Sequence, residues 1–361
     1  NGVMRKILLA RRLGRRFPLI QAPVAGVSTP TLAAAVSNAG ALGSISIGAA
    51  GPEQAEKMIS TTLAQTRHAI NVNLFCHAPA VRNQPLEAEW LQRFQPLFSE
   101  YGVSLPAELT EIYTSFLQQE QMVDILLAHN PAAVSFHFGL PEGAVIAQFK
   151  RQGIVTLATV TSVEEALAAQ TAGVEFLIAQ GIEAGGHRGI FDINASDQML
   201  TTRQLTQQLL QAVRLPVIAA GGVMHGVEIQ EMLNSGADAV QMGTAFVLCP
   251  ESSADTAYRQ ALKQETAGNT VLTRTVSGRP ARSVNTLFCR LTAHIQPHQI
   301  PDYPLTYSLN KALAAAAASQ GKSGFAAQWA GEGAWQAREM PAAELVATLI
   351  SEAEQAGYSA T

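Results

Sequence analysis

Charge is scarce in this chain. Asp, Glu, Lys and Arg supply 14% of its 361 residues, against roughly 25% in an average globular protein. So little charge implies much interior, a modest solvated surface and a pocket suited to an uncharged small molecule. Basic residues gather nowhere beyond "ARRLGRR" at residues 10–16, and the net charge is −4. That balance argues against a nucleic-acid partner, and the short basic run reads as solvating the entry to a first strand. Cysteine is sparse too. Cys76, Cys249 and Cys289 are odd in number and form no CxxC pair, which argues against a disulfide framework and fits a reducing, cytoplasmic compartment. No window reaches the ~18 consecutive apolar residues of a membrane span, and "LNKALAAAAASQ" reads as an ordinary helix. There is no signal-peptide pattern, and "NGV" ahead of Met4 reads as an added leader with Met4 as the natural start. His68, His77, His129, His225, His294 and His298 show no metal-ligand spacing, and no HExxH motif is present, so no metal is expected.

What is present is a rhythm. Apolar runs without polar alternation occur at 17–23, 40–48, 69–75, 132–139, 154–160, 175–181, 215–222 and 238–246, the look of strands covered on both faces. Amphipathic stretches follow them. "STPTLAAAVSNAG" opens with capping hydroxyls and stops at glycine, and "TSVEEALAAQTAG" sets Thr161 and Glu164 at capping-box spacing. Alternation of strand and helix predicts a parallel α/β fold, and eight units in about 250 residues match a TIM (β/α)8 barrel. An open doubly wound sheet is the runner-up, weakened because no GxGxxG follows the first strand. Residues 1–250 are thus assigned to the barrel. The stretch 77–130 reads as a lid-like insertion, and 251–340 as a mostly helical second domain whose helices continue without strands. The last helix, 341–361, is expected to pack back on the barrel.

In such a barrel the chemistry sits at the C-terminal strand ends. Those ends carry Gln21, Ala22 and Pro23, then Asn73, His137, Thr159, Gln180 with Gly185, Gly186 and His187, then Gly221 and Gly222, then Gln241, Met242, Gly243 and Thr244. The set is rich in amides and glycines and almost uncharged. Amides suit a heterocycle whose edge both donates and accepts, and glycines let backbone N–H groups approach a phosphate. Two glycine sites after strands seven and eight, with an amide upstream, point to FMN. His187 follows two glycines, and a neutral imidazole is a base matched to pH 7. Its plainer role is to hydrogen-bond the ligand or its own loop. His137 projects at the same mouth, either as a reacting group or as a histidine satisfied among aromatics.

"PLIQAPVAGVSTPTLAAAVSNAGALGSI", "AQGIEAGGHRG", "PVIAAGGVMHG" and "GADAVQMGTAF", with "SFHFG" and "IPDYP", resemble the nitronate monooxygenase family, formerly called 2-nitropropane dioxygenases. The resemblance runs through nearly the whole chain. It implies a barrel with a helical second domain, non-covalent FMN held by Asn73, Gln180, Gly185, Gly222 and Gln241 to Thr244, and His187 as the group that takes a proton from a nitroalkane carbon. It further implies that nitronates are oxidised with O2 to a carbonyl compound and nitrite without NAD(P)H, with propionate 3-nitronate as the expected substrate. Tyr113, Tyr303, Tyr307, Lys311 and Arg188 are then candidates to meet the substrate and its carboxylate. Two rivals stand beside this: an NAD(P)H-dependent quinone or enoyl-ACP reductase on the same scaffold, and a flavin-binding protein without turnover. Oligomeric state is not readable from these residues.

Overall fold

The structure, a computed structural model, describes residues 7–359; Met4 and the last two residues lie outside the described residues. The eight apolar runs become strands β1 (Leu19–Gln21), β2 (Gly43–Ser46), β3 (Ile70–Phe75), β4 (Ala133–His137), β5 (Val155–Val160) and β6 (Phe176–Gln180) and, after a two-residue strand β7 (Gly186–His187), β8 (Val217–Ala220) and β9 (Ala239–Met242). Apart from β7 they pair in parallel in the order β1-β9-β8-β6-β5-β4-β3-β2. The ring is drawn together between β1 and β2, where Ile20 bridges Leu42 and the N–H groups of Gln21 and Leu42 donate to Leu42 O and Leu19 O, each at 2.9 Å. This is a TIM-like barrel.

The helices are α1 (Leu8–Arg12), α2 (Pro30–Asn38), α3 (Pro52–Gln65), α4 (Gln84–Glu100), α5 (Glu120–His129), α6 (Gly143–Arg151), α7 (Val163–Ala172), α8 (Thr202–Ala212), α9 (Gly226–Asn234), α10 (Thr256–Lys263), α11 (Leu287–Thr292), α12 (Leu305–Ser319) and α13 (Ala342–Gln355). Thr29 caps α2 by accepting from Leu32 N, with Pro30 in the first turn, where a missing N–H is harmless. At α7 the capping differs from the expectation. Ser162, not Thr161, caps Glu165 N, and it is Glu165, not Glu164, that reaches back to Thr161 N and Oγ1, both at 2.7 Å. α13 lies against α9 and α2, filling the gap in the outer layer that follows β9. Among the described residues, no helix is long and apolar enough to cross a membrane.

Strand alternation sorts the core. Val72 and Leu74 of β3 face the outer helices in one apolar cluster, while Asn71 reaches Ser44 Oγ and Ser135 Oγ, both at 3.1 Å, on neighbouring strands. Ile20, Val155, Leu157, Phe176, Ile178 and Ile218 share a second cluster with Leu9 of α1. There Asp238 accepts from Leu8 N at 2.7 Å and Leu9 N at 3.0 Å.

Two departures from the sequence reading concern the additions. The stretch 77–130 divides. Trp90, Phe94 and Phe98 of α4 pack with Phe288, Leu309 and Leu313 of α11 and α12, whereas α5 packs on α3 in the outer layer, so the inserted part ends before Glu120. Beyond residue 250 the helices are joined by strands β10 (Val271–Thr273) and β11 (Ala281–Ser283). These two form an antiparallel sheet with β7 in the order β10-β11-β7, and Ala281 pairs with His187. Runs of two and three residues are too short to show a period.

Candidate active site

At the strand ends a cavity of about 1240 Å³, its open mouth included, is lined from two sides. Ala22, Pro23, Asn73, Gln180, Gly185, Gly186, Gly221, Gly222, Gln241, Met242, Gly243 and Thr244 all border it, as do His137, His187, Tyr113, Tyr303 and Tyr307. Arg188 and Lys311 do not. The cavity wall also includes Phe75, Phe138, Tyr258 and Trp329, which the sequence reading did not single out.

One end is made of backbone. Gly221 and Gly222 have φ of +134° and +74°, and a Cβ on Gly221 would stand 2.6 Å from Thr202 Oγ1. Gly185 is pressed against the chain at Ala330 and Gly331, leaving 2.5 Å between a would-be Cβ and Gly331 N. Gly331 N in turn donates to Thr244 Oγ1 at 3.0 Å. Among the described residues the N–H groups of Gly221, Gly222 and Gly243 have no protein acceptor, and Gln241 Oε1 is buried without a partner. Such groups are rarely left unpaired inside proteins. A phosphate would take the glycine donors, and a ring N–H would take the Gln241 carbonyl, so the residues fit a flavin mononucleotide.

Not every amide is available. Gln180 Nε2 donates to His187 O at 3.0 Å, and Gly189 N donates to Gln180 Oε1 at 2.7 Å; Gln180 holds the 187–189 loop. Asn73 Nδ2 donates to Ser135 Oγ at 3.0 Å, and Asn73 Oδ1 accepts a longer bond from Ser46.

The other end is a cage of rings. His187 lies 4.9 Å from Trp329, 5.5 Å from Phe138 and 5.6 Å from Tyr303, centroid to centroid. Its Nε2 is hydrogen-bonded to Ser277 Oγ at 2.7 Å. His187 keeps part of its surface open to the cavity, yet the surrounding protein mass pushes its pKa down to about 3, with His137, Arg279 and His77 adding repulsion. Burial likewise lowers His137 and His77 to about 4. All three rings are neutral at pH 7. His137 Nε2 lies 3.1 Å from His187 O, which places its proton on Nε2 as the donor. Phe138 holds a φ of +73°, a conformation that costs a bulky residue about 1–3 kcal/mol and that puts its ring between His137 and Tyr303.

Two substrate assignments need correction. Arg188 is 1% exposed, and its guanidinium is fully engaged by Asp197 at 2.8 and 3.0 Å and by Gln180 O and Gly181 O. Consecutive residues of an extended segment face opposite ways, so the neighbour of His187 points away from the cavity. Lys311 is an exposed residue whose ammonium lies 4.6 Å from the Tyr307 ring centroid and 5.8 Å from that of Tyr113, behind the two tyrosines rather than in the wall. Ser277 and Arg279, in contrast, were missed. Ser277 stands 90 residues from His187 and Arg279 lies two positions further along, and the pairing of β11 with β7 brings both to the histidine motif.

The sequence profile of nitronate monooxygenases matches residues 7–352. The chain belongs to the nitronate monooxygenase family. Proteins named nitronate monooxygenase from Paraburkholderia phytofirmans and Pseudomonas aeruginosa are each 50% identical to it over 343 residues, covering 95% of this chain and 94% and 97% of theirs. A nitroalkane oxidase structure from Streptomyces ansochromogenes superposes with a TM-score of 0.85 at 36% identity, covering 94% of this chain and 96% of that one. As a nitronate monooxygenase family member the chain is an oxidoreductase, and the family as a whole is flavin-dependent.

Proposed function

We propose that this chain binds FMN at the barrel mouth and uses O2 to convert alkyl nitronates, propionate 3-nitronate first among them, into a carbonyl compound and nitrite. The carrying observation is the division of one cavity between backbone donors that lack acceptors and a cage of neutral imidazoles and aromatics. The backbone donors and the ring cage line opposite sides of that one cavity, so a cofactor at the first faces a substrate at the second. Gly221, Gly222, Gly243 and Thr244 would hold the phosphate, and Gln241 the polar edge of the ring. When bound, the flavin supplies the electron acceptor that nitronate oxidation requires.

The side chains of the cage orient the substrate. Ser277 Oγ accepts from Arg279 N at 3.3 Å and has two acceptors for its own proton, Arg279 O at 3.4 Å and the closer His187 Nε2 at 2.7 Å, which takes it. His187 then carries its own proton on Nδ1 and has a donor to offer an oxyanion. Burial keeps the imidazole neutral and lowers its basicity, which suits a donor that holds a substrate arriving already ionised. Trp329, Phe138 and Tyr307 keep water from the reacting centre.

Purified protein should be yellow and release FMN, not FAD, on denaturation. With propionate 3-nitronate it should consume O2 and release nitrite, and NADH should not be oxidised. NADH oxidation without nitrite would replace this reading with a reductase, and flavin without any turnover would replace it with a carrier.

A further inference from the structure

Arg279 is 4% exposed and forms no ion pair among the described residues. Its guanidinium sits 4.7 Å from the ring centroid of Phe138 and 5.9 Å from that of Tyr303, two residues of the cavity wall. Its hydrogen bonds go to neutral carbonyls, Ile190 O at 2.6 Å and Phe191 O at 3.5 Å. Glu165 and Asp302 act on it only at a distance and bond to other groups: Glu165 accepts from Thr161 and Phe191 N, and Asp302 accepts from Val81 N at 2.9 Å. Arg274, the other cation in range, adds to the positive field. Leaving a charge buried and unpaired is expensive, and aromatic faces repay only part of that.

We infer that Arg279 is the fixed positive charge of the cage, a positioning residue that selects an anionic substrate through the rings of Phe138 and Tyr303 without touching it. The inference rests on the nitronate reading for the identity of the anion, though not for the presence of an anion site. Burial draws the Arg279 pKa down to about 10, which still leaves it charged at pH 7. The same charge helps keep His77, His137 and His187 unprotonated. The cage thereby has permanent cations beside it, Arg279 nearest with Arg274 behind, and no titrating one near neutrality, and its attraction for anions should vary little between pH 6 and 9.

The test compares Arg279→Lys and Arg279→Gln with the wild type as flavin-loaded enzymes, using sodium nitrate as a planar anionic probe in titration calorimetry, propionate 3-nitronate in steady-state kinetics, and flavin content and Tm as controls. Arg279→Gln should weaken nitrate binding about tenfold or more, as expected for a unit charge at this range in a partly shielded site. KM for the nitronate should rise by a similar factor, with kcat changed less. Arg279→Lys, which keeps the charge and loses the fork of hydrogen bonds, should stay within about threefold of wild type in both. Nitrate affinity unchanged in Arg279→Gln would overturn the inference, as would equal losses in the Lys and Gln variants, since a packing role alone predicts them. If Arg279→Gln does not fold, the Lys variant decides, and a tenfold loss there with flavin retained refutes the charge role. Wild type that binds nitrate but turns over no nitronate would defeat the functional reading and leave the Arg279 result to stand by itself.

Discussion

The two ends of the cavity are built on different principles. The end after β8 and β9 presents backbone: Gly221, Gly222 and Gly243 offer N–H groups within two short turns of the chain. The end after β4 presents side chains from separated stretches, with His137 from the end of β4 and Phe138 just after it, His187 from β7, Tyr303 just ahead of α12 and Tyr307 in its first turn, and Trp329 from the following loop. A backbone site tolerates change at every side chain except those whose absence defines it. A side-chain cage depends on the relative placement of pieces far apart in sequence. The first end should therefore fail by strain and the second by misplacement.

The largest effect should come from the cage. His187→Asn removes a donor set against the reacting group, and kcat/KM for propionate 3-nitronate should fall about 10²–10³-fold with flavin content unchanged. Loss of flavin in that variant would merge the two ends into one unit. Next is the glycine end. Gly222 has a φ of +74°, and a Cβ there meets Glu183 Cβ at 3.0 Å, so Gly222→Val should weaken flavin binding by up to about 3 kcal/mol, read as the free fraction on dilution. The barrel's thermal transition should move less.

A third measurement sharpens the comparison by pH. The histidines of the cage have folded pKa values below their ordinary 6.5. The unfolded chain therefore binds more protons between about pH 4 and 6.5, and their stabilising contribution, complete above pH 6.5, is lost as pH falls toward 4. His77 is 0% exposed and stands behind Tyr303 and Phe138 of the cavity wall, so His77→Leu tests this without removing a wall residue. Between pH 6.5 and 5 its unfolding free energy should fall about 2 kcal/mol less than that of the wild type. Parallel curves would show that His77 is not held neutral by burial. The smallest effect is expected at Lys311. Standing behind Tyr307 and Tyr113, it should influence a substrate carboxylate by less than about tenfold, so Lys311→Met should leave most of any preference for a carboxylated nitronate. A hundredfold drop would place its ammonium in the cavity during turnover.

The difference between the two ends also explains what could be read from sequence. All eight barrel strands were legible, because a strand covered on both faces writes itself as an unbroken apolar run, and the glycine end lay within two of those runs. Part of the cage was legible: His137 and His187 follow barrel strands, and Tyr113, Tyr303 and Tyr307 stand out as lid tyrosines. Trp329, Ser277 and Arg279 carry no local signal, since all three lie outside the helices and named strands, and β10 and β11 flanking Ser277 and Arg279 are three residues each and declare no period. Arg188 misled for a related reason: adjacency to His187 suggested a shared site, while the alternation of an extended chain sends it toward Asp197. Glu120–His129 was counted with the insertion because its helical pattern is continuous in kind with that of α4, and only packing against α3 distinguishes them.

The contact of Gly331 with Thr244 and Gly185 has a consequence for the order in which the molecule is made. The last barrel strand ends at Met242, yet the wall of the cavity is completed by Trp329, Gly331 and Gly333, almost ninety residues later. A chain emerging from the ribosome therefore possesses its strands well before it possesses a closed pocket, and contacts of such long sequence separation form late. A ligand can be enclosed only once residues 329–333 have joined the strand ends. Until then the glycine turns lie open to water.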